Sequence, residues 1–333
     1  MKLFAPLAAI LLFACSNAAV NQGGLPAVRY ELVKDWPQLP ASYKLGQVAG
    51  IGIDTSGNIV LFHRAGREWG LLDNKFPATP IEENTILTLD RKNGSIINNW
   101  GAGLFIMPHG LLVDKMNNVW VTDVGRQQVL KFNAEGKLLR ALGEEKVAGN
   151  DSLHFNMPTD IAVATDGSFY VSDGYGNSRI LKFSANGNYI FEWGSRGTGP
   201  GQFNIPHAID LGTNGNVYVA DRENNRIQEF SAEGKFIKEW RDGAPEKLYA
   251  VTVDKQTGHV FAADYAALFG VIAKGSNIIE FDSSGWMVQE FGRSGNYEGP
   301  KCRYHDIAVD KEGNIYAADI LGNRVQKFKR INN

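Results

Sequence analysis

One unit occurs six times along the amino-acid sequence, and that periodicity narrows the fold more than any other feature. Each copy is an apolar run, a tight turn and a second apolar run. The second runs fall at 57–63, 118–123, 167–173, 215–221, 258–264 and 313–319, and Gly215-Asn216-Val217-Tyr218-Val219-Ala220-Asp221 is representative. Glycine and asparagine supply the turns, and alternating aromatic and β-branched residues read as strands. Most units continue into a third strand, such as 179–183 or 226–230, and after another glycine turn into a fourth, such as 189–193 or 236–240. A unit this small cannot bury its own apolar faces, so copies must pack on one another. The expected fold is all-β, a six-bladed β-propeller with four antiparallel strands per blade. Residues 43–330 contain no linker and read as one domain. Residues 15–42 read as an N-terminal linker, in which 28–33 can supply the outer strand that closes the ring.

The 37 glycines among 333 residues agree with a chain of many short strands and turns. A net charge of −2 offers no basis for binding nucleic acid. Lys2 followed by the apolar stretch 3–14 reads as an export signal, too short to span a bilayer. Leu12-Phe13-Ala14-Cys15 has the form of a bacterial lipoprotein cleavage box. Residues 1–14 would then be removed, with Cys15 the first mature residue and the lipid carrier. An ordinary secretory signal cut near Ala18-Ala19 is the alternative. On either reading the protein is exported, and on the first it is a periplasmic or cell-surface lipoprotein, bacterial in type, touching membrane only through its lipid. With Cys15 lipidated, Cys302 is the one thiol left, so no intramolecular disulfide can form. Cys302 reads as a small buried side chain, with a thiolate ligand the alternative.

Within the repeat, histidines recur at one slot in alternate copies. His109, His207 and His305 are spaced by 98 residues, two units each time. In a blade the first strand lines the central channel, and its start shares a rim with the end of the second. The slot opening the first strand is filled by Ala49, His109, Thr159, His207, Tyr249 and His305, unit by unit. The position ending the second strand holds His63, Asp123, Asp173, Asp221, Asp264 and Asp319, with Arg64, Tyr175 and Arg222 just beyond. Alternate blades of a six-bladed ring set three imidazoles about 120° apart, able to converge on one ion. Three neutral nitrogens with an open position is the arrangement of catalytic zinc, although imidazole also suits copper, iron and nickel. The recurring aspartates read as acceptors of backbone amides in turns. Asp306 stands apart because it follows His305 directly and repeats only as Asp160. His154 and His259 read as loop or turn residues. His63 replaces an aspartate, and its role is left open between orienting a neighbour and touching substrate.

Asp306-Ile307-Ala308-Val309-Asp310 through Asp319, followed by Asn323-Arg324-Val325-Gln326-Lys327-Phe328, resembles the NHL repeat. Longer stretches resemble peptidyl-α-hydroxyglycine α-amidating lyase. They include Phe62-His63-Arg64-Ala65-Gly66-Arg67-Glu68-Trp69, Pro108-His109-Gly110-Leu111, Ser172-Asp173-Gly174-Tyr175-Gly176-Asn177-Ser178-Arg179 and Ala220-Asp221-Arg222-Glu223-Asn224-Asn225-Arg226. The resemblance implies a six-bladed propeller whose catalytic zinc is held by His109, His207 and His305. It implies a catalytic tyrosine at Tyr175 and substrate-site arginines at Arg64 and Arg222. It also implies a structural calcium held by the backbone carbonyls of Ile51 and Leu111 and the carboxylate of Asp306. Arg303-Tyr304-His305-Asp306 departs from the Met-Pro-His-Asp usual in that family, which bears on the substrate contact near Arg303.

The implied reaction cleaves the N–C bond of a C-terminal α-hydroxyglycine, in a peptide or a small carbinolamide, to an amide and glyoxylate. The chain holds no monooxygenase domain, so a hydroxylated substrate would be made elsewhere. Two other functions remain open at this stage. One is a metal-dependent lactonase or hydrolase on the same architecture, and the other a non-catalytic NHL binding module.

Overall fold

The computed structural model describes residues 28–69, 75–241, 243, 246–268, 272–292 and 302–332. The expected leader 1–14 and Cys15 lie outside the described residues. Six antiparallel sheets form the blades. The innermost strands are Val48–Ile53, Pro108–Val113, Asp160–Val163, Pro206–Leu211, Lys247–Val253 and Tyr304–Val309, for blades 1 to 6 in that order. Their second strands are Ile59–His63, Val119–Asp123, Phe169–Asp173, Val217–Asp221, Val260–Leu268 and Ile315–Asp319. The third and fourth strands of blades 3 and 4 occupy Arg179–Phe183, Tyr189–Trp193, Arg226–Phe230 and Phe236–Trp240, as their sequence pattern predicts. In blade 6 the outermost strand is Val28–Leu32, which pairs antiparallel with Arg324–Asn332 and joins the two ends of the described chain.

Alternation sets the packing. Second strands are buried along their length, whereas fourth strands, such as Leu138–Leu142 and Tyr189–Trp193, are largely exposed. The buried hydrophobic residues fall into six clusters, one between each pair of neighbouring blades. The cluster between blades 1 and 2 holds Val60, Phe62, Ile86, Phe105, Leu111 and Val121. The cluster between blades 6 and 1 adds Trp36 to Ile51, Leu61 and Tyr316. Each buried side chain of this size contributes about 1.5–3 kcal/mol, so the ring is held blade to blade rather than by one central core. The channel wall is therefore free to carry polar groups.

Two features have no counterpart in the repeat pattern. First, the register shifts at the slot in the inner strands of blades 1, 2, 4, 5 and 6, so Ala49, His109, His207, Tyr249 and His305 sit at bulges. An extra residue on one strand bends it and re-aims the side chain. Second, the second strand of blade 5 runs past Asp264 to Leu268 and pairs with an added strand, Ile272–Gly275. Among the described residues no helix is long and apolar enough to cross a membrane.

Candidate metal centre

The bulges deliver three imidazoles to the channel. His109, His207 and His305 are all buried, and one ring nitrogen from each lies within 4.8 Å of the others. Ring centroids stand 4.8, 4.5 and 4.7 Å apart, with the planes steeply inclined. Each Nδ1–H donates to a main-chain carbonyl of the next blade: His109 to Thr159 at 2.6 Å, His207 to Tyr249 at 2.6 Å and His305 to Ala49 at 2.7 Å. These acceptors are the three slot residues that are not histidine. A proton held on Nδ1 leaves Nε2 as a lone pair aimed away from the carbonyl. Burial, reinforced by neighbouring cations, keeps all three well below the usual histidine range and hence neutral.

Tyr175 stands over this set. Its Oη lies 3.0 Å from His109 Nε2 and 3.1 Å from His207 Nε2, and Arg222 Nη1 donates to it over 3.3 Å. One phenol proton cannot serve two nitrogen lone pairs, so the donor set suits a cation better than it suits the tyrosine alone. Tyr175 follows the second strand of blade 3 between two glycines with no room for a side chain. A Cβ at Gly174 would lie 2.1 Å from the Pro206 carbonyl, and one at Gly176 2.0 Å from Asn156. The Trp69 ring covers the phenol from blade 1, with centroids 4.9 Å apart. Burial pushes the Tyr175 hydroxyl above its ordinary value against the pull of Arg222 and Arg64. The arginines alone therefore do not lower it.

Both expected arginines reach the same space. Arg64 is buried, with Nε donating to the Pro108 carbonyl (3.0 Å) and Nη1 to Gln47 (2.9 Å). Its Nη2 has no hydrogen-bond partner among the described residues, and burial draws its pKa down to about 10. Arg222 opens a 3₁₀ turn, Arg222–Asn224, and is paired with Glu223 at 3.0 Å. Its guanidinium lies 5.3 Å from the Tyr175 ring and 4.9 Å from the Tyr249 ring.

Below the imidazoles, Asp306 and Asp160 share the channel. Asp306 accepts the amide of Ile51 at 2.9 Å, and Asp160 accepts that of Ile209 at 2.9 Å. Burial raises both carboxyls above their ordinary value, with repulsion from Asp160 adding to it at Asp306 and repulsion from Asp210 at Asp160. A void of about 10 Å³ is lined by both aspartates and all three histidines, about the room of one small occupant. Leu111 is buried on the neighbouring inner strand. The pair of facing carboxylates fits a divalent cation, and Asp160 is the member that residue spacing had left without a role.

The strand-ending aspartates accept backbone amides: Asp123 takes Ile106, Met107, Gly125 and Arg126, and Asp319 takes Arg303, Leu321 and Gly322. They thereby hold the loops that lead into the inner strands. His63 lies in the wall of a separate cavity of about 810 Å³ beside Gln47. Its Nδ1 accepts the Ala65 amide at 3.2 Å and its Nε2 lies 3.2 Å from Tyr43 Oη. Cys302 is buried beside Ser276 and is not in the metal-ligating group. His154 pairs with Asp151 and His259 with Glu280, both away from the channel.

Comparison with known proteins agrees with this architecture. A family described as "6-bladed beta-propeller" matches residues 146–264, and the NHL repeat matches residues 105–132. "Peptidyl-glycine alpha-amidating monooxygenase B" of Xenopus laevis is 37% identical over 329 residues, covering 90% of this chain and 36% of that protein. "Peptidyl-alpha-hydroxyglycine alpha-amidating lyase 1" of Drosophila melanogaster is 35% identical over 342 residues, covering 91% of this chain and 62% of that protein. The chain thus spans about a third of the first relative and under two thirds of the second. A solved streptogramin B lyase superposes with a TM-score of 0.58 at 15% identity, over 91% of this chain and 98% of that one, a likeness of fold alone. The chain is a six-bladed β-propeller carrying the NHL repeat, and its homologues include proteins named peptidyl-α-hydroxyglycine α-amidating lyase.

Proposed function

We propose that the protein is a zinc-dependent lyase that splits an α-hydroxyglycine end, or a similar carbinolamide, into an amide and glyoxylate. The observation that carries this reading is the meeting of three neutral, oriented imidazoles with a phenol oxygen and two guanidinium groups. The names of the homologues support it. His109, His207 and His305 would hold the zinc, which when bound would supply Lewis acidity for the substrate hydroxyl and positive charge that favours deprotonation of Tyr175. Tyr175 takes the hydroxyl proton. The carbon–oxygen bond becomes the carbonyl of glyoxylate, the carbon–nitrogen bond breaks, and its electron pair stays on nitrogen. Tyr175 returns the proton to that nitrogen, so the amide leaves neutral and no water is consumed. The open Nη2 of Arg64 donates to the glycine carboxylate, a charge-assisted bond. Arg222, already donating to Tyr175, steadies the phenolate. Trp69 keeps water from the phenol. Calcium bound by Asp306 and the carbonyls of Ile51 and Leu111, and export on a lipid at Cys15, belong to the same proposal.

The test is a glyoxylate assay on α-hydroxyhippurate beside elemental analysis of the purified protein. Tyr175→Phe should retain zinc while kcat falls by about 10²–10⁴-fold, the usual contribution of a positioned acid–base group. A Tyr175→Phe protein with full activity, or cleavage of esters with no glyoxylate from any hydroxyglycine compound, would sink the reading.

A further inference from the structure

The residue two places before each channel histidine is Met107, Ile205 or Arg303. The main chain is anchored alike in blades 2 and 6. Met107 N–H donates to Asp123 at 2.9 Å and Arg303 N–H to Asp319 at 2.8 Å, while Met107 O accepts Val124 N–H and Arg303 O accepts Ile320 N–H. An apolar side chain therefore serves the backbone equally well at this place. The charge at Arg303 has some other use.

The Arg303 guanidinium is held rigidly at the rim. It lies 4.9 Å from the Tyr249 ring and 4.8 Å from the Tyr265 ring, and Nη2 donates to Tyr249 Oη at 2.5 Å. Tyr265 belongs to the extended second strand of blade 5, which no other blade has among the described residues. Tyr249 also borders His207 and Arg222, so the clamp opens on the metal centre itself. Arg303 Nε is buried without a hydrogen-bond partner, and among the described residues no carboxylate is paired with it. A half-buried cation with no counter-charge among the described residues is unfavourable until an anion arrives.

Three guanidinium groups thus surround one small space, and among the described residues only Arg222 has a carboxylate partner, Glu223. A single substrate carboxylate can neutralise one of the other two. We propose that Arg303 selects hydroxyglycine compounds whose acyl group carries a second carboxylate, the guanidinium pairing with that second charge. This rests on the lyase reading of the same centre and narrows its substrate class to short dicarboxylic acyl groups. Arg303 is a specificity residue for the acyl side, apart from the proton transfer at Tyr175.

The experiment compares N-succinyl-α-hydroxyglycine with its near-isosteric neutral partner, the succinamyl compound, by glyoxylate release. The expected kcat/KM favours the succinyl substrate by about tenfold or more, the size of one charge-assisted contact. Arg303→Met should bring that ratio close to unity, chiefly through KM for the succinyl substrate, and Arg303→Lys should restore part of it. Zinc content measured on each variant separates a lost contact from a damaged site. A wild-type ratio near one, or a ratio that Arg303→Met leaves standing, overturns the assignment while cleavage of α-hydroxyhippurate keeps the lyase reading intact. No glyoxylate from any of the three compounds overturns both.

Discussion

Even-numbered and odd-numbered blades occupy the same slot of the ring and contribute different halves of one arrangement. Blades 2, 4 and 6 place a histidine there, and blades 3, 5 and 1 place the carbonyl that accepts that histidine's Nδ1–H. The side chain is what matters in the first set, and the backbone in the second. Thr159, Tyr249 and Ala49 have little in common as side chains, which is what a slot read through its carbonyl allows. A sixfold repeat thus yields a threefold centre without breaking the backbone pattern, since the ligand and its orienting partner come from adjacent copies.

Removing a member of the even set should have the largest effect. His207→Ala is expected to abolish glyoxylate release and zinc retention together, and a metal-loaded, active variant would show that the three nitrogens do not act as one site. Gly110→Ala leaves every ligand in place and attacks the odd set. Its Cβ would lie 2.6 Å from the Thr159 carbonyl and 2.6 Å from Asp160 Oδ1, so the acceptor of His109 must shift. A loss of about 10–100-fold in zinc affinity is expected, the usual effect of disturbing a ligand's hydrogen-bond partner. Competition with a chromophoric chelator would measure it. Thr159→Val sharpens the contrast from the other side. The carbonyl remains, but Thr159 Oγ1 no longer reaches Pro206 O at 2.7 Å. Zinc content should be unchanged while unfolding by denaturant shows a loss of about 1–3 kcal/mol for the orphaned acceptor.

The same contrast explains what could be read from the residues. Strand positions follow from period-two apolar patterning and turn glycines, which are local, so the third and fourth strands of blades 3 and 4 fall where the pattern put them. The meeting of His109, His207 and His305 follows from equal spacing on a closed ring. The orienting carbonyls do not, because every residue carries a carbonyl and composition leaves no trace of its direction. Nor do the bulges, which are set by register between strands. Tyr265 and Trp69 reach the centre only through the blade 5 extension and the long loop after blade 1's second strand. Asp160 was recognisable as the echo of Asp306, but its facing position across the channel needs the folded ring. The raised hydroxyl of Tyr175 depends on burial, which residue types alone understate.

His63 offers the smallest and most specific check, because it is a buried imidazole of an odd blade that faces away from the centre. Burial lowers its pKa from 6.5 to about 4. Between those values the unfolded chain binds a proton at His63 that the folded chain does not, so stability falls as pH drops through this window. The triad titrates in the same direction, but its share is common to wild type and to His63→Gln and cancels in their difference. Urea midpoints compared between pH 6.5 and about 4 should therefore fall less steeply for His63→Gln, with zinc content alike in both proteins. Parallel slopes would mean that His63 is hydrated enough to take up its proton in the folded state, and the wall it forms with Tyr43 would then be open to solvent. A loss of zinc in His63→Gln would instead tie this imidazole to the centre and erase the distinction between the two sets of blades.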